Sequence, residues 1–213
     1  MLKILIVDDH ALVRMGIRRL LENLPDLTVV AEAENGEQAL HLVKMHNPHV
    51  VLLDLKMPGV DGLEVVRRVR KTHPQVKIIA ITAMSITLIP AQIIQLGAMG
   101  YLTKESNIEE IITAIRTVAK GEKFLSAKVA QEIAINSLDH SQKSPFDLLS
   151  IREMQVMLMI TNGMSVQDIA GKLFLSSKTI NGYRYRIFTK LGIKNDVELT
   201  FFAMKHGIIK QSE

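Results

Sequence analysis

The run Val50-Val51-Leu52-Leu53 ends in Asp54, and Pro58-Gly59-Val60-Asp61-Gly62 turns the chain soon afterwards. An apolar, β-rich run with no polar alternation reads as a strand buried on both faces, as in a parallel sheet. Its last residue then sits at the carboxyl end of the strand, where open α/β sheets bind their ligands. A carboxylate there is either a turn-starting Asp or a reactive group. A second run, Ile4-Leu5-Ile6-Val7, leads into Asp8-Asp9. If the two strands are neighbours, Asp8, Asp9 and Asp54 converge. Three like charges raise one another's pKa and repel. A hard divalent cation relieves the conflict, and Mg²⁺ prefers oxygen ligands of this kind. Val76–Thr82 ends in a hydroxyl, and Met99–Leu102 runs into Thr103-Lys104. A carboxylate to accept a phosphoryl group, a lysine and metal to neutralise its oxygens, and a hydroxyl to donate to one make a coherent phosphoryl site.

The remaining pattern of the first half fits this sheet. Strands at Lys3–Val7, Thr28–Ala33, Val50–Asp54, Val76–Thr82 and Met99–Leu102 alternate with helices. The helices fall at His10–Leu24, Gly36–His46, Leu63–Thr72, from near Ile89 to Leu96, and at Ile108–Ala119. Regular alternation of this kind implies a parallel sheet with right-handed crossovers. Pro90 is tolerated only in the first turn of a helix, which leaves Met84–Leu88 as an extended loop. His10, His41, His46, His49 and His73 lack metal-like spacing and read as solvent-facing or helix-end residues.

Asp8-Asp9, the run Asp54–Gly62, Thr82-Ala83 and Lys104 together resemble the receiver domain of two-component response regulators. The resemblance spans roughly the first 120 residues, with four motifs in order and spacing. It implies a flavodoxin-like, five-stranded parallel sheet of order 2-1-3-4-5, with Asp54 as phosphoacceptor. It implies Asp8, Asp9, Asp54 and the backbone carbonyl of Lys56 as ligands of Mg²⁺. Thr82 and Lys104 are implied as the phosphate-sensing pair, with Tyr101 as the aromatic that changes rotamer and turns inward on phosphorylation. Glu105 departs from the commoner pattern, in which a proline in a cis peptide follows the lysine. A cis bond before Glu costs roughly 3 kcal/mol, which leaves the isomer open.

The second half is of another kind. Residues 122–145 read as a linker, with a short helix at Val129–Ile135 and a Ser- and Asn-containing stretch from Asn136 to Pro145. Residues 146–213 read as four helices. Ser150 and Glu153 form a capping box, and Gly163 stops that helix. Ser165 and Ser176 begin the next two, Gly192 stops the third, and Asn195 opens the last, which Gly207 stops. Two short helices joined by a tight turn, the second basic, signal a helix-turn-helix, though ordinary bundles share the pattern.

Charge sharpens this. Residues 145–213 carry nine Lys or Arg against six Asp or Glu, whereas residues 1–123 carry fifteen against fourteen. Lys178, Arg184, Arg186, Lys190 and Lys194 fall in seventeen residues without an acid. On a helical wheel Ile180, Ile187 and Leu191 share a face that must be buried. Lys178, Asn181, Gly182, Tyr185 and Thr189 lie opposite, flanked by Arg186 and Lys190. An ordinary solvated face is the plain alternative. An aromatic at Tyr185 and a helix-weakening Gly182, costing about 1 kcal/mol, argue for close approach of a partner.

Leu149-Ser150-Ile151-Arg152-Glu153, Ile169-Ala170…Leu173, Lys178-Thr179-Ile180 and Lys190-Leu191-Gly192 resemble the LuxR-type helix-turn-helix of the NarL/FixJ response regulators. Ser177–Arg186 and Asp196–Thr200 are similar to the GacA/UvrY/LetA group within that family. Gly171 departs from the family's usual acidic residue. The resemblance implies that Lys178, Thr179, Asn181, Gly182, Arg184, Tyr185, Arg186 and Lys190 contact promoter DNA. It implies that Asn181, Gly182 and Tyr185 lie where the family reads bases.

The expectation is a two-domain response regulator: receiver 1–121, linker 122–145, and an all-α four-helix DNA-binding domain 146–213. The expected partners are a hybrid, BarA-like sensor histidine kinase, double-stranded promoter DNA at small regulatory RNA genes, and a second copy of the phosphorylated chain. An aspartyl-phosphate phosphatase or phosphotransferase is the enzymatic rival, but Lys56 stands where such enzymes commonly carry a second Asp. A receiver whose basic output binds RNA or protein is the other rival. Absence of Cys excludes disulfides and thiolate metal sites. No apolar run approaches the ~18 residues of a membrane span, and no signal peptide is evident, so a cytoplasmic location is expected.

Overall fold

In the computed structural model the chain forms two compact units, Met1–Asp139 and His140–Glu213. The structure describes residues 1–55, 57, 60, 62–82, 89–131, 134, 145–206 and 208–209. The expected Lys56 carbonyl ligand, the 84–88 loop, the serine-containing linker and the Gly207 stop lie outside those residues.

The first unit is a parallel sheet of order β2-β1-β3-β4-β5-β6. Its strands are β1 Leu2–Val7, β2 Leu27–Ala33, β3 Val50–Asp54, β4 Lys77–Thr82, β5 Gly100–Thr103 and β6 Phe124–Leu125. The crossovers are α1 Ala11–Leu21, α2 Gly36–His46, α3 Gly62–Thr72, α4 Ile89–Leu96 and α5 Ile108–Ala119. Side-chain alternation along each strand divides the core in two. Ile4, Ile6, Leu52, Ile79 and Ile81 pack with Ile17 and Leu21 of α1 and Ala114, Ile115 and Val118 of α5. Leu5, Val7, Val51, Leu53 and Ile78 pack with Ala39 and Val43 of α2 and Val65, Val66 and Val69 of α3. Every residue of β3 is buried, as its unbroken apolar run demands. Each Val, Leu or Ile so buried contributes about 1.5–3 kcal/mol.

Several element ends shift by one residue from the sequence reading, and two differences are larger. The first helix ends at Leu21 rather than Leu24, because a residue before proline is driven out of the helical region, and Leu24 precedes Pro25. The sheet has six strands rather than five. β6 pairs parallel to β5, Gly100 with Phe124 and Tyr101 with Leu125. Two residues carry no readable period, so this strand fell within the segment read as linker. A helix, α6, follows at residues 127–131.

The second unit opens with a 3₁₀ turn, Pro145–Leu148, followed by α7 Ile151–Thr161, α8 Val166–Leu173, α9 Ser177–Leu191 and α10 Asp196–Lys205. The oxygens of Ser150, Ser165, Ser176 and Asn195 each accept from a backbone N–H three residues on. Each such cap contributes about 1 kcal/mol. Ser150 and Glu153 form the full reciprocal box. Met154, Val156, Met157, Ile169, Ile180, Ile187, Leu199 and Ala203 fill the core. Phe146 stacks edge-on against Phe202, ring centroids 5.5 Å apart, and ties the entry turn to the last helix.

Candidate functional site: an acidic pocket and a basic helix

Pairing of β1 with β3 sets Val7 beside Leu53, so the residues that follow both strands emerge together. Asp8 and Asp54 are almost fully buried. Lys104, just beyond β5, donates to both: Nζ lies 2.7 Å from Oδ2 of Asp54 and 2.8 Å from Oδ2 of Asp8. Burial alone would lower the lysine pKa, but its hydrogen bonds to Asp54 and Asp8 outweigh that and raise it above its ordinary value. The Lys104 amide donates to the Thr82 carbonyl at 2.9 Å, which fixes the two strand ends against each other. Thr82 is fully buried. The Lys104–Glu105 peptide is trans, as are all those described.

Gly62 explains how α3 starts so close to the acid. A Cβ built there would stand 2.4 Å from the Asp54 carbonyl oxygen and 2.6 Å from Leu55 Cα. Only glycine admits that approach.

Asp8, Asp9, His10 and Asp54 each offer a ligand atom, all within 4.8 Å of one another. Three carboxylates supply the hard oxygen donors that a small divalent cation takes. His10 is the residue the sequence reading set aside. Its backbone N–H donates to Asp8 Oδ1 at 2.8 Å, and its Nδ1 lies 2.6 Å from Asp9 Oδ1. Its position directly after the Asp pair was the available signal. Arg14 reaches back from α1 to donate to the Asp8 carbonyl at 2.7 Å. Tyr101 is 1% exposed.

In the second unit, α8 and α9 are joined by a three-residue turn in which Phe174 adopts a left-handed φ of +52°. Ile180 and Ile187 are fully buried and Leu191 partly so, while Lys178, Asn181, Tyr185, Arg186, Thr189 and Lys190 are exposed. Thr179, Gly182 and Arg184 are half-buried. Tyr185 is 74% exposed. A Cβ at Gly182 meets only the tip of Arg186, at 3.7 Å.

The cations of α9 are not equivalent. Arg186 Nε donates to Glu153 Oε1 at 3.2 Å, and Lys190 Nζ to Glu153 Oε2 at 2.6 Å. Glu153 is 3% exposed. Burial pushes its carboxyl up, yet the hydrogen bonds from Lys190 and Ser150 prevail and hold it below its ordinary value. Arg184 grips Asp196 through Nε and Nη2, at 3.1 and 2.6 Å. Arg186 also lies over the Tyr183 ring, 4.6 Å from its centroid. Lys178 has no ion-pair partner among the described residues. The sequence reading placed Arg184, Arg186 and Lys190 among the DNA contacts and missed the acids that hold them.

Residues 4–116 match the response regulator receiver domain, and residues 147–203 match the luxR family of bacterial regulatory proteins. The chain belongs to the two-component response regulators with a LuxR-type output domain, a family of transcription regulators. It is 47% identical to the response regulator GacA of Pseudomonas protegens over 212 residues, covering all of both chains. It is 45% identical to the response regulator UvrY of Escherichia coli K12, covering 98% of this chain and 96% of that one. A solved structure of RcsB from Salmonella enterica serovar Typhimurium, bound to promoter rprA in the presence of the phosphomimetic BeF3-, is 27% identical. It aligns with a TM-score of 0.67 over 95% of this chain and 98% of that chain. No helix among the described residues is long and apolar enough to cross a membrane.

Proposed function

We propose that Asp54 accepts a phosphoryl group from a sensor histidine kinase and that the phosphorylated chain binds promoter DNA through α9. The contact of Lys104 with buried Asp54 and Asp8 carries this reading. A carboxylate oxygen of Asp54 attacks phosphorus, the phosphorus–nitrogen bond of the phosphohistidine breaks, and an acyl phosphate forms. Asp8, Asp9 and Asp54, with the Lys56 carbonyl that the resemblance implies, would hold Mg²⁺, which would supply positive charge against the phosphoryl oxygens. Lys104 is already in place to exchange the carboxylate of Asp54 for a phosphoryl oxygen. Thr82 donates its hydroxyl to another, and Tyr101 takes part in the switch.

The domain limits of this reading are a receiver over 1–121, a linker over 122–145 and a DNA-binding domain over 146–213. Lys178, Thr179, Asn181, Gly182, Arg184, Tyr185, Arg186 and Lys190 form or shape the DNA-facing surface. Similarity to GacA and UvrY supports a hybrid, BarA-like kinase as donor. The promoter-bound RcsB structure supports duplex DNA as the target, and response in the cytoplasm by a phosphorylated homodimer completes the reading. The pocket serves as acceptor, not as a catalyst of external phosphoester turnover.

The test is mass spectrometry of the full chain after acetyl phosphate and Mg²⁺. One added phosphate is expected in the wild type and none in Asp54→Asn. Phosphate on another residue of the wild type overturns the assignment.

A further inference from the structure

Asp8 and Asp9 are consecutive, and successive side chains along a strand point to opposite faces. Yet both offer a ligand atom to one pocket, within 4.8 Å of each other and of Asp54. The chain must therefore leave the extended path where they meet. β1 ends at Val7, and the backbone bends at Asp9. The Asp8 N–H still donates to the Ala33 carbonyl of β2, at 3.1 Å. The Asp8 carbonyl accepts instead from Nη1 of Arg14, at 2.7 Å. The His10 N–H closes the bend on Asp8 Oδ1, at 2.8 Å.

Arg14 lies in the first turn of α1 and is itself anchored. Its Nε is 3.5 Å from Oε2 of Glu32 on β2, and the two side chains are only 16% and 26% exposed. A guanidinium carries five N–H donors in one plane, so a single side chain can face an acid and a carbonyl at once. Arg18, one turn further along α1, shares the same acid. Its own hydrogen bonds go to Glu32 and Glu22, not to Asp8.

We propose that Arg14 is a positioning residue for the divalent cation: anchored on Glu32, it fixes the Asp8–Asp9 peptide so that two neighbouring carboxylates serve one ion. The inference rests on the reading of the acidic pocket as a Mg²⁺ site. Arg14 is also a cation beside that pocket. As a bare charge it would repel the metal, and its removal would strengthen binding. As the group that holds the bend, its removal weakens binding. The two roles differ in sign.

The test titrates the full-length protein with Mn²⁺ at fixed pH and ionic strength and follows the free ion by electron paramagnetic resonance. Mn²⁺ takes the same oxygen donors as Mg²⁺, and excess Mg²⁺ should displace it. Asp9→Asn should weaken binding, which places the ion in the pocket. Arg14→Met removes the donors and should lower affinity about tenfold, the low end for a group one step outside the ligands. Arg14→Lys keeps the charge and a donor, and should lose less. Arg18→Met takes an equal charge from the same acid and should bind as tightly as wild type or more tightly. Thermal melts accompany each variant, and if Arg14→Met fails to fold, the Arg14→Lys titration decides on the same terms. Affinity that is unchanged or raised on losing Arg14 overturns the proposal. So does an equal fall in Arg18→Met, which would make the effect one of α1 as a whole. A wild type that binds Mn²⁺ no better than Asp9→Asn overturns the metal reading of the pocket, and this inference with it.

Discussion

Lys104 Nζ sits 2.7 Å from Oδ2 of Asp54 and 2.8 Å from Oδ2 of Asp8, so one ammonium serves two buried carboxylates. Removing it takes the ammonium from both. Lys104→Met should cost about 3 kcal/mol in a Mg²⁺-free melt, the scale of breaking a buried ion pair. A divalent ion then no longer competes with the ammonium. Added Mg²⁺ should therefore raise the melting temperature of the variant more than that of the wild type. Equal Mg²⁺ responses would mean the ion binds elsewhere.

Gly62 should prove intolerant of a single added carbon. The backbone of Asp54 and Leu55 stands in the way of a Cβ, and backbone cannot rotate aside. Gly62→Ala should lose about 1–3 kcal/mol. Because the obstruction is the Asp54 carbonyl itself, the rate of labelling by acetyl phosphate should fall in the same variant. Chemical denaturation and a phosphorylation time course measure the two effects.

Glu153 predicts an acid limit for the second unit. Its carboxyl is held below the ordinary value of 4.5, so it contributes stability above that pH and loses it as pH falls through the lower, folded value. Glu153→Gln should destabilise the unit at neutral pH by about 1–3 kcal/mol. It should also abolish the part of the wild type's decline that lies below pH 4.5. Urea titrations at pH 7 and pH 4 test both statements, and an unchanged pH profile in the variant would remove Glu153 from the account.

A Cβ at Gly182 would make only an ordinary contact, 3.7 Å from the tip of Arg186. Gly182→Leu should therefore fold, and should gain roughly 0.5–1 kcal/mol of helix propensity. It should nonetheless lose specific DNA binding, because the added side chain projects from the exposed face of α9. Affinity and melting temperature must be measured together. Wild-type affinity in this variant would mean that α9 does not enter the groove.

The sheet is legible in the sequence because β1, β3 and β4 are apolar runs and each crossover is a separate helix. The acidic pocket is legible for the same reason: strands that end in carboxylates deliver them to one edge whenever they are neighbours. What escapes is whatever depends on distance along the chain. Lys190 and Arg186 look like unclaimed cations because their acid, Glu153, lies 37 and 33 residues away on another helix. Arg184 looks the same because Asp196 lies across the Gly192 turn. His10 reads as a helix-end residue until α1 is seen to start on top of Asp8.

β6 also bears on how the chain can be cut. Phe124 and Leu125 cover the outer edge of β5, the short strand that carries Tyr101 and leads to Lys104. A fragment ending at residue 121 would strip that cover and leave a row of unpaired amides and carbonyls beside the phosphoryl pocket. Such an edge templates pairing with a second copy of itself. Self-association measured on that fragment would report the exposed edge and not the signalling state, whereas a fragment carried through residue 131 keeps the edge closed.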